Sequence, residues 1–196
     1  MAAILDVLGK TGALVPEIKP VASGMRLCGP AVTCLGPDLD VRRMAIDLAP
    51  PGSVLVLAAE GVTDRACFGS YTADMMQRAG LAGVVIDGAT RDVAELRTLG
   101  FPTFARAATP RSFGYPQPGI EGSVNVAVPC GGTIVEPGDV IAGDDDGVIA
   151  IPRQQCEALA PAVIEAMEAE RRKWEARYGK PFGVEERLRA RGFSFE

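Results

Sequence analysis

Histidine is absent from this sequence of 196 residues. Its absence excludes Ser-His-Asp and Cys-His nucleophiles, histidine-ligated zinc sites and histidine acid–base pairs. Any catalysis by the chain must therefore use carboxylates, arginine, lysine, tyrosine, thiols, backbone amides, water or a hard metal ion.

Long apolar runs, basic stripes and paired cysteines are also missing. No window of about 20 apolar residues could span a bilayer, and with a net charge of -5 no Lys/Arg-rich stripe follows a phosphate backbone. The five cysteines are scattered and odd in number, which favours reduced thiols. We therefore expect a cytoplasmic protein with small-molecule or protein partners, and neither nucleic-acid nor membrane binding.

The chain length predicts one domain over residues 1–196, with a core at about 20–155 and a C-terminal helical extension at 154–196. No polar linker interrupts it. The Gly- and Pro-rich stretch Ser112–Gly122 is the best candidate for a loop.

Short strands and helices alternate along the chain. Strands are predicted at Ala31–Leu35, Ser53–Ala58, Gly83–Ile86, Thr103–Ala105, Val124–Val128, Val140–Ala142 and Gly147–Ile151. Helices are predicted at Leu39–Leu48, Thr72–Ala79, Val93–Leu99 and Gln154–Arg177, the last burying Leu159, Val163 and Met167. Two blocks form βαβ units with parallel strands. The later strands are too sharply turned for a pure Rossmann sheet, so a mixed α/β fold is expected.

The segment Gly80–Asp92, GLAGVVIDGATRD, is the best candidate for a ligand site. An apolar strand leads through Asp87 and Gly88 to Arg91 and Asp92 at a helix start, where a loop can offer side chains and amides to an anion. Arg91 offers a planar fork for a carboxylate, and Asp92 an oxygen ligand for Mg²⁺ or Mn²⁺. The plainer interpretation stays open: a DG turn, an Asp92 helix cap and a surface ion pair for Arg91.

The block GLAGVVIDGATRDVAELRTLGFPTFARAATPRSFG resembles the signature of RraA-like proteins, and so do MRLCGPAVTC, PGSVLVLAAEG and PGDVIAGDDDGVIAIP in the same order. The resemblance implies a swivelling β/β/α sandwich with mixed sheets, flanking helices and a C-terminal helix. It implies a homotrimer or homohexamer with the site at a subunit interface. In the family's aldolases, the Arg and Asp that match Arg91 and Asp92 bind the pyruvoyl carboxylate and the divalent metal.

A second family segment, Gly-acidic-Leu-Leu, contacts substrate through backbone amides. Here it reads Gly69, Ser70, Tyr71 and Thr72, so serine replaces the acidic residue that positions a catalytic water. A serine hydroxyl is a poor general base without an activating partner. The departure bears on proton transfer more than on carboxylate or metal binding.

The resemblance implies a metal-dependent lyase that cleaves 4-hydroxy-4-methyl-2-oxoglutarate, or a related 4-hydroxy-2-oxo acid, to pyruvate, and that decarboxylates oxaloacetate. The alternative is a non-catalytic protein-binding regulator, because one branch of the family resembles inhibitors of ribonuclease E. A methyltransferase finds no support, since no Gly-rich nucleotide loop is present.

Two further patterns have simpler explanations. The four lysines suggest a Schiff-base aldolase, yet none lies in an apolar strand that would depress its pKa. The acidic run Asp144–Asp146 lacks the spaced ligands of an EF-hand, so it is interpreted as a turn between strands.

Overall fold

The fold is described here from a computed structural model, for residues 1–113, 122–180 and 182–195. Ten strands are present in these residues: β1 Lys19–Pro20, β2 Leu27–Leu35, β3 Val54–Phe68, β4 Gly83–Thr90, β5 Thr103–Ala108, β6 Ser123–Val124, β7 Val128–Cys130, β8 Thr133–Val135, β9 Val140–Asp144 and β10 Gly147–Ile151. The α-helices are α1 Ala2–Val7, α2 Leu39–Leu48, α3 Ser70–Arg78, α4 Val93–Leu99, α5 Cys156–Arg177 and α6 Glu185–Ala190.

Seven strands form the path of one mixed sheet, in the order β1-β5-β4-β3-β2-β9-β10, and β6 pairs with β2 as the eighth strand. Strands β2 to β5 are parallel neighbours, whereas β9 and β10 run antiparallel. Strands β7 and β8 form a separate two-stranded sheet. The expected mixed α/β architecture with flanking helices and a C-terminal helix is confirmed, and both βαβ units are parallel as predicted.

The central strands are apolar because both of their faces are covered. All eight residues of β4 are buried, as expected for a parallel strand between two layers. Alternate residues point to opposite faces: Leu55 and Ile86 join the cluster that packs against α2, α3 and α4, while Val54 and Val85 join the opposite cluster.

Strand β3 carries the chain past the regular part of the sheet. Its pairing with β4 is regular up to Leu57 and Ile86 and then shifts register at Val62, Ala66 and Phe68. These irregularities bend a strand and re-aim its end. The end of β3 thus lies beside the end of β4, and each strand is followed by a helix, α3 after β3 and α4 after β4.

Some boundaries were predicted well. Helices α2 and α4 have the predicted bounds, and the Asp144–Asp146 run joins β9 to β10 as a tight turn. Helix α5 begins two residues later than predicted, after a 3-10 turn at Arg153–Gln155.

Three expectations were wrong. The predicted strand Val124–Val128 is divided between β6 and β7, with Asn125 at a φ of 55° where the pairing with β2 stops. Asp87 and Gly88 lie inside β4 and do not form a turn. Met167 of α5 is exposed, because α5 packs on the body of the fold near its first turns through Leu159 and Val163.

Two statements concern only part of the chain. Residues 114–121 of the predicted loop Ser112–Gly122 lie outside the described residues. Within the described ranges, no helix combines the length and apolar composition needed to cross a bilayer.

Candidate active site

The candidate site lies where β3 and β4 end side by side. Phe68 and Thr90 are register partners, and the Arg91 amide donates to the Phe68 carbonyl at 3.0 Å. Gly69 and Ser70 follow the end of β3, and Arg91 and Asp92 follow the end of β4. The structure thus brings together the two segments that the sequence separates by about two dozen residues.

Asp92 connects these two segments. Its Oδ2 accepts hydrogen bonds from the Ser70 amide at 3.1 Å and the Ser70 hydroxyl at 3.2 Å. Its own helix, α4, receives no side-chain cap from it; the Asp92 carbonyl accepts from the Leu96 amide at 2.9 Å instead. The interpretation of Asp92 as a side-chain cap for α4 is therefore wrong, because its carboxylate accepts hydrogen bonds from Ser70 at the start of α3.

The backbone of Asp92 is strained. Its φ of 59° and ψ of 42° are left-handed values that non-glycine residues adopt rarely and at a cost. In this conformation the Asp92 carboxylate is hydrogen-bonded to Ser70. Strain of this kind is concentrated at functional sites in proteins.

Gly69 makes the close approach possible. A Cβ at this position would lie 2.5 Å from Asp92 Oδ2 and 3.1 Å from Arg91 Cγ. The φ of Gly69 is extended, so glycine is required here for space and not for backbone freedom. This close contact gives the glycine of the Gly69–Thr72 segment a physical reason.

Arg91 is half-exposed, and its Nε lies 3.5 Å from Asp92 Oδ2. The 34% exposure of the Asp92 side chain leaves this pair accessible. Both residues line a cavity of about 280 Å³, close to the lower end of the range for small-molecule sites, roughly 300–1,000 Å³. The cavity is lined by Pro37, Leu39, Arg42, Arg43, Ala66, Cys67, Phe68, Gly69, Tyr71, Thr72, Arg91, Asp92, Ser112 and Phe113.

The lining is electropositive. Among the described residues, the lining contains the guanidinium groups of Arg42, Arg43 and Arg91 and the single carboxylate of Asp92. A concave surface with one sign of charge concentrates ligands of the opposite sign. The cavity is therefore suited to an anion, and none of the lysines weighed for a Schiff base lines it.

The first turn of α3 adds amide donors. The first N–H groups of a helix lack intrahelical acceptors. In the described part of the chain, the amides of Tyr71 and Thr72 donate to no hydrogen-bond acceptor. Both residues line the cavity, whereas Ser70 is directed at Asp92 and contributes through it. Amides and a nearby guanidinium together can bind a carboxylate.

Sequence reasoning missed Arg42. This residue is 6% exposed, and its Nη1 donates to the Cys67 carbonyl at the end of β3. Burial lowers the pKa of Arg42. The signal was present, since Arg42, Ala45 and Ile46 have the i, i+3, i+4 spacing of a buried helix face.

A divalent cation fits the donor set if one protein carboxylate suffices. No group of three or more His, Cys, Asp or Glu side chains within the described ranges could hold a metal alone. Mg²⁺ accepts one or two carboxylates together with waters and substrate oxygens. Asp92, fixed by Ser70 and partly exposed to the cavity, has the chemistry for that single ligand.

Asp87, the other acidic residue of the motif, is absent from the cavity lining. It is buried, pairs with Arg106 of β5 and accepts from the Gly131 amide at 2.7 Å. The hydrogen bond from Arg106 to Asp87 raises the pKa of Arg106. Asp87 therefore ties β4 to β5 and to the turn between β7 and β8.

Comparison with known proteins decides the family. The family model described as RraA-like, Aldolase/RraA, matches residues 1–150, which include all of the cavity residues. The chain belongs to the RraA-like family. The sequence-based recognition of this family is confirmed.

Similar proteins carry different names, and the solved structures among them share the fold. A protein of Halalkalibacterium halodurans, named as a candidate 4-hydroxy-4-methyl-2-oxoglutarate aldolase, is 39% identical over 157 residues, 79% of this chain and 73% of the relative. An uncharacterized protein from Pseudomonas syringae superposes with a TM-score of 0.81 at 26% identity, covering 95% of this chain and 88% of that one. Streptomyces coelicolor RraAS2, described as an unusual member of the RNase ES inhibitor RraA family, gives 0.73 at 29% identity and covers 89% of both chains.

Proposed function

We propose that this chain is a divalent-metal-dependent lyase that cleaves 4-hydroxy-4-methyl-2-oxoglutarate, or a related 4-hydroxy-2-oxo acid, to pyruvate and that also decarboxylates oxaloacetate. The observation that carries the proposal is the meeting of Arg91, Asp92 and the first turn of α3 in one electropositive cavity. The name of the Halalkalibacterium halodurans relative supports the same reaction.

Substrate binding follows from the donors on the cavity wall. The carboxylate next to the keto group would accept from the Arg91 fork and from the amides of Tyr71 and Thr72. Ser70 holds Asp92 in place through its amide and hydroxyl, so the carboxylate that would bind Mg²⁺ or Mn²⁺ is oriented in advance. When bound there, the cation would supply Lewis-acid stabilisation for negative charge on the keto oxygen.

The reaction breaks the C3–C4 bond: C4 becomes the keto carbon of the second product, the electron pair stays with the pyruvate fragment as an enolate, and a proton from water then converts the enolate to pyruvate. The positive charge of Arg91 next to the bound carboxylate favours this developing anion. Aldol cleavage also requires a group that accepts the 4-hydroxyl proton. Asp92 is the only carboxylate among the described cavity residues, and in this proposal it is already the ligand of the cation. Decarboxylation of oxaloacetate passes through the same enolate without that proton transfer, so the residues present support it with the fewest additional groups.

Assembly into a homotrimer or homohexamer, with the site at a subunit interface, belongs to the same proposal. Helix α5 supports it, because Ile164, Met167 and Trp174 leave large apolar side chains exposed. Large apolar side chains exposed together can mark a protein contact. A neighbouring subunit could then supply the proton acceptor for aldol cleavage.

The test is pyruvate release from oxaloacetate and from 4-hydroxy-4-methyl-2-oxoglutarate with Mg²⁺, with Mn²⁺ and with chelator. We expect turnover that requires the cation. In parallel, Mg²⁺ with oxalate should raise the melting temperature, because a ligand that binds only the folded state stabilises it. Arg91→Ala should remove the effect of oxalate; an undiminished shift would contradict the assigned role of Arg91.

One alternative function is favoured by a specific finding. The similarity to Streptomyces coelicolor RraAS2 favours, as the second candidate, a non-catalytic regulator that inhibits a ribonuclease of the E type by binding it. The same preparation should be tested for inhibition of such a ribonuclease. Inhibition that persists in Arg91→Ala, together with no turnover on either acid, would select the regulator.

A further inference from the structure

Arg42 is a buried cation that forms no ion pair with any of the described residues. It is 6% exposed, and its Nε is fully buried with no hydrogen-bond partner. None of the ion pairs formed among the described residues includes it. A buried charge is costly unless it is paired and hydrogen-bonded, so an arginine left in this state calls for an anion.

The groups around Arg42 do not supply that anion. Burial raises the pKa of Cys34 to about 12 and that of Cys67 to about 11, so both thiols are neutral near pH 7. The Asp38 carboxylate is engaged in capping α2, where Oδ1 accepts from the amides of Asp40 and Val41 at 2.9 and 3.0 Å. Burial has the largest effect on the pKa of Arg42 and lowers it; the negative charge of Asp38 favours the charged form, but Asp38 forms no ion pair with Arg42 among the described residues.

The position of Arg42 indicates where an anion would bind. Arg42 comes from α2 and Arg91 from the loop after β4, and both line the same cavity with Tyr71 and Thr72. Arg43 also lines the cavity, but it pairs with Asp40. Arg42 and Arg91, which come from different elements, therefore suit a ligand with two separate anionic groups.

We infer that Arg42 binds the second carboxylate of the substrate and makes the site selective for 2-oxo diacids over 2-oxo monoacids. This inference rests on the proposed function, because it gives the first carboxylate to Arg91. The binding of a carboxylate supplies the missing counter-charge, and a charge-assisted hydrogen bond in a dry site is among the strong ones.

A structural role for Arg42 makes a different prediction. Its Nη1 holds the Cys67 carbonyl, and a residue that only fixed the end of β3 would affect every ligand of the site to the same degree. A residue that contacts the second carboxylate affects only ligands that have one. The ratio of affinities for a matched pair of acids separates the two roles.

The experiment measures binding of 2-oxoglutarate and 2-oxovalerate by calorimetry in the presence of Mg²⁺. The two acids have the same chain length, differ in the distal carboxylate, and lack the 4-hydroxyl needed for cleavage. Wild type should bind 2-oxoglutarate at least about tenfold more tightly. Arg42→Met should lose that preference and keep its affinity for 2-oxovalerate, while Arg78→Met, an exposed charge outside the cavity, should behave as wild type.

Each other outcome overturns the inference. Binding of both acids without preference, or an unchanged preference in Arg42→Met, would refute the role of Arg42 and leave the proposed function intact. No binding of either acid to wild type would refute both. If Arg42→Met fails to fold, Arg42→Lys gives the same comparison, because the shorter reach and lost fork should reduce the preference; a preference equal to that of wild type would overturn the inference.

Discussion

Two carboxylate–guanidinium pairs, whose aspartates Asp87 and Asp92 lie five residues apart on β4 and the loop after it, have different roles. Asp87 and Arg106 are inside the sheet, with 8% of the Asp87 side chain exposed, and Asp87 also accepts a hydrogen bond from the Gly131 amide. Asp92 and Arg91 are at the strand end, half-open to a cavity, with Asp92 in a strained conformation. The same residue types therefore stabilise the fold in one place and remain available to a ligand in the other.

The largest effect is expected from removing the buried pair of Asp87 and Arg106, and it concerns the free energy of unfolding. Asp87→Ala leaves Arg106 without its partner and the Gly131 amide without its acceptor, so the free energy of unfolding should fall by about 3 kcal/mol. Urea unfolding checks this. Asp64→Ala removes a carboxylate from exposed ion pairs with Arg65 and Arg111 and should change stability by less than about 1 kcal/mol; equal losses would contradict the distinction.

The pair of Arg91 and Asp92 at the end of β4 leaves no room for a side chain at Gly69, so enlarging this residue should reduce turnover. Gly69→Ala places a methyl group 2.5 Å from Asp92 Oδ2 and must displace the carboxylate. Turnover in the pyruvate assay should fall by about a hundredfold, since shifts of about 1 Å have effects of this size. Gly24→Ala, where a Cβ meets nothing within 4 Å, strains only its own backbone and should leave turnover unchanged. Equal activity in the two variants would show that the close contact does not matter.

Ser70 should matter less than Gly69. Ser70→Ala removes the hydroxyl bond to Asp92 and keeps the amide bond, so one of two restraints remains. We expect turnover to fall by about tenfold, the value of one hydrogen bond near 1.4 kcal/mol. Kinetics at saturating Mg²⁺ test this, and a loss as large as that of Gly69→Ala would give the serine a direct part in proton transfer.

The smallest expected effect concerns the thiol beside the buried pair. Burial and the Asp87 charge raise the pKa of Cys130 to about 12, above the value of 9.0 for a free thiol. The folded protein therefore holds this proton more tightly than the unfolded chain. Its contribution is complete below pH 9 and is lost as the pH rises toward 12.

Cys130→Ala should reduce the fall in unfolding free energy between pH 8 and pH 10 by about 1 kcal/mol. Denaturant titrations at the two pH values measure the difference. Cys28→Ala, at an exposed cysteine, is the matched control. An unaltered pH dependence in Cys130→Ala would mean that the thiol ionises alike in both states.

The sequence predicted the central βαβ units because their strands are apolar on both faces and their helices end at glycine, as α4 does at Gly100. It misjudged Asp87, because a DG pair is locally typical of a turn and only the distant Arg106 and Gly131 show why it is buried in a strand. It also predicted Val124–Val128 as one strand, because the break is visible only in the pairing: Val124 pairs with the distant β2, whereas Val128 pairs with the adjacent β8.

The candidate site shows the same limit. Arg91 and Asp92 were identified through their place after an apolar strand and through family resemblance. The bond from Ser70 to Asp92 and the contact that requires Gly69 depend on the register of β3 against β4, which its irregular end obscures. Arg42 was missed because an Arg-Arg pair is usually solvated, and only burial of one face of α2 separates it from Arg43.

The account is tested most directly by pyruvate release from oxaloacetate at saturating Mg²⁺ for wild type, Asp92→Ala and Asp87→Ala, at a temperature where all three are folded. We predict that Asp92→Ala loses at least about a hundredfold in turnover and only about 1 kcal/mol of stability, from the bonds to Ser70 at the start of α3, whereas Asp87→Ala keeps turnover per folded molecule and loses about 3 kcal/mol of stability. Turnover that survives in Asp92→Ala would contradict the central claim that the open pair at the end of β4 carries the chemistry.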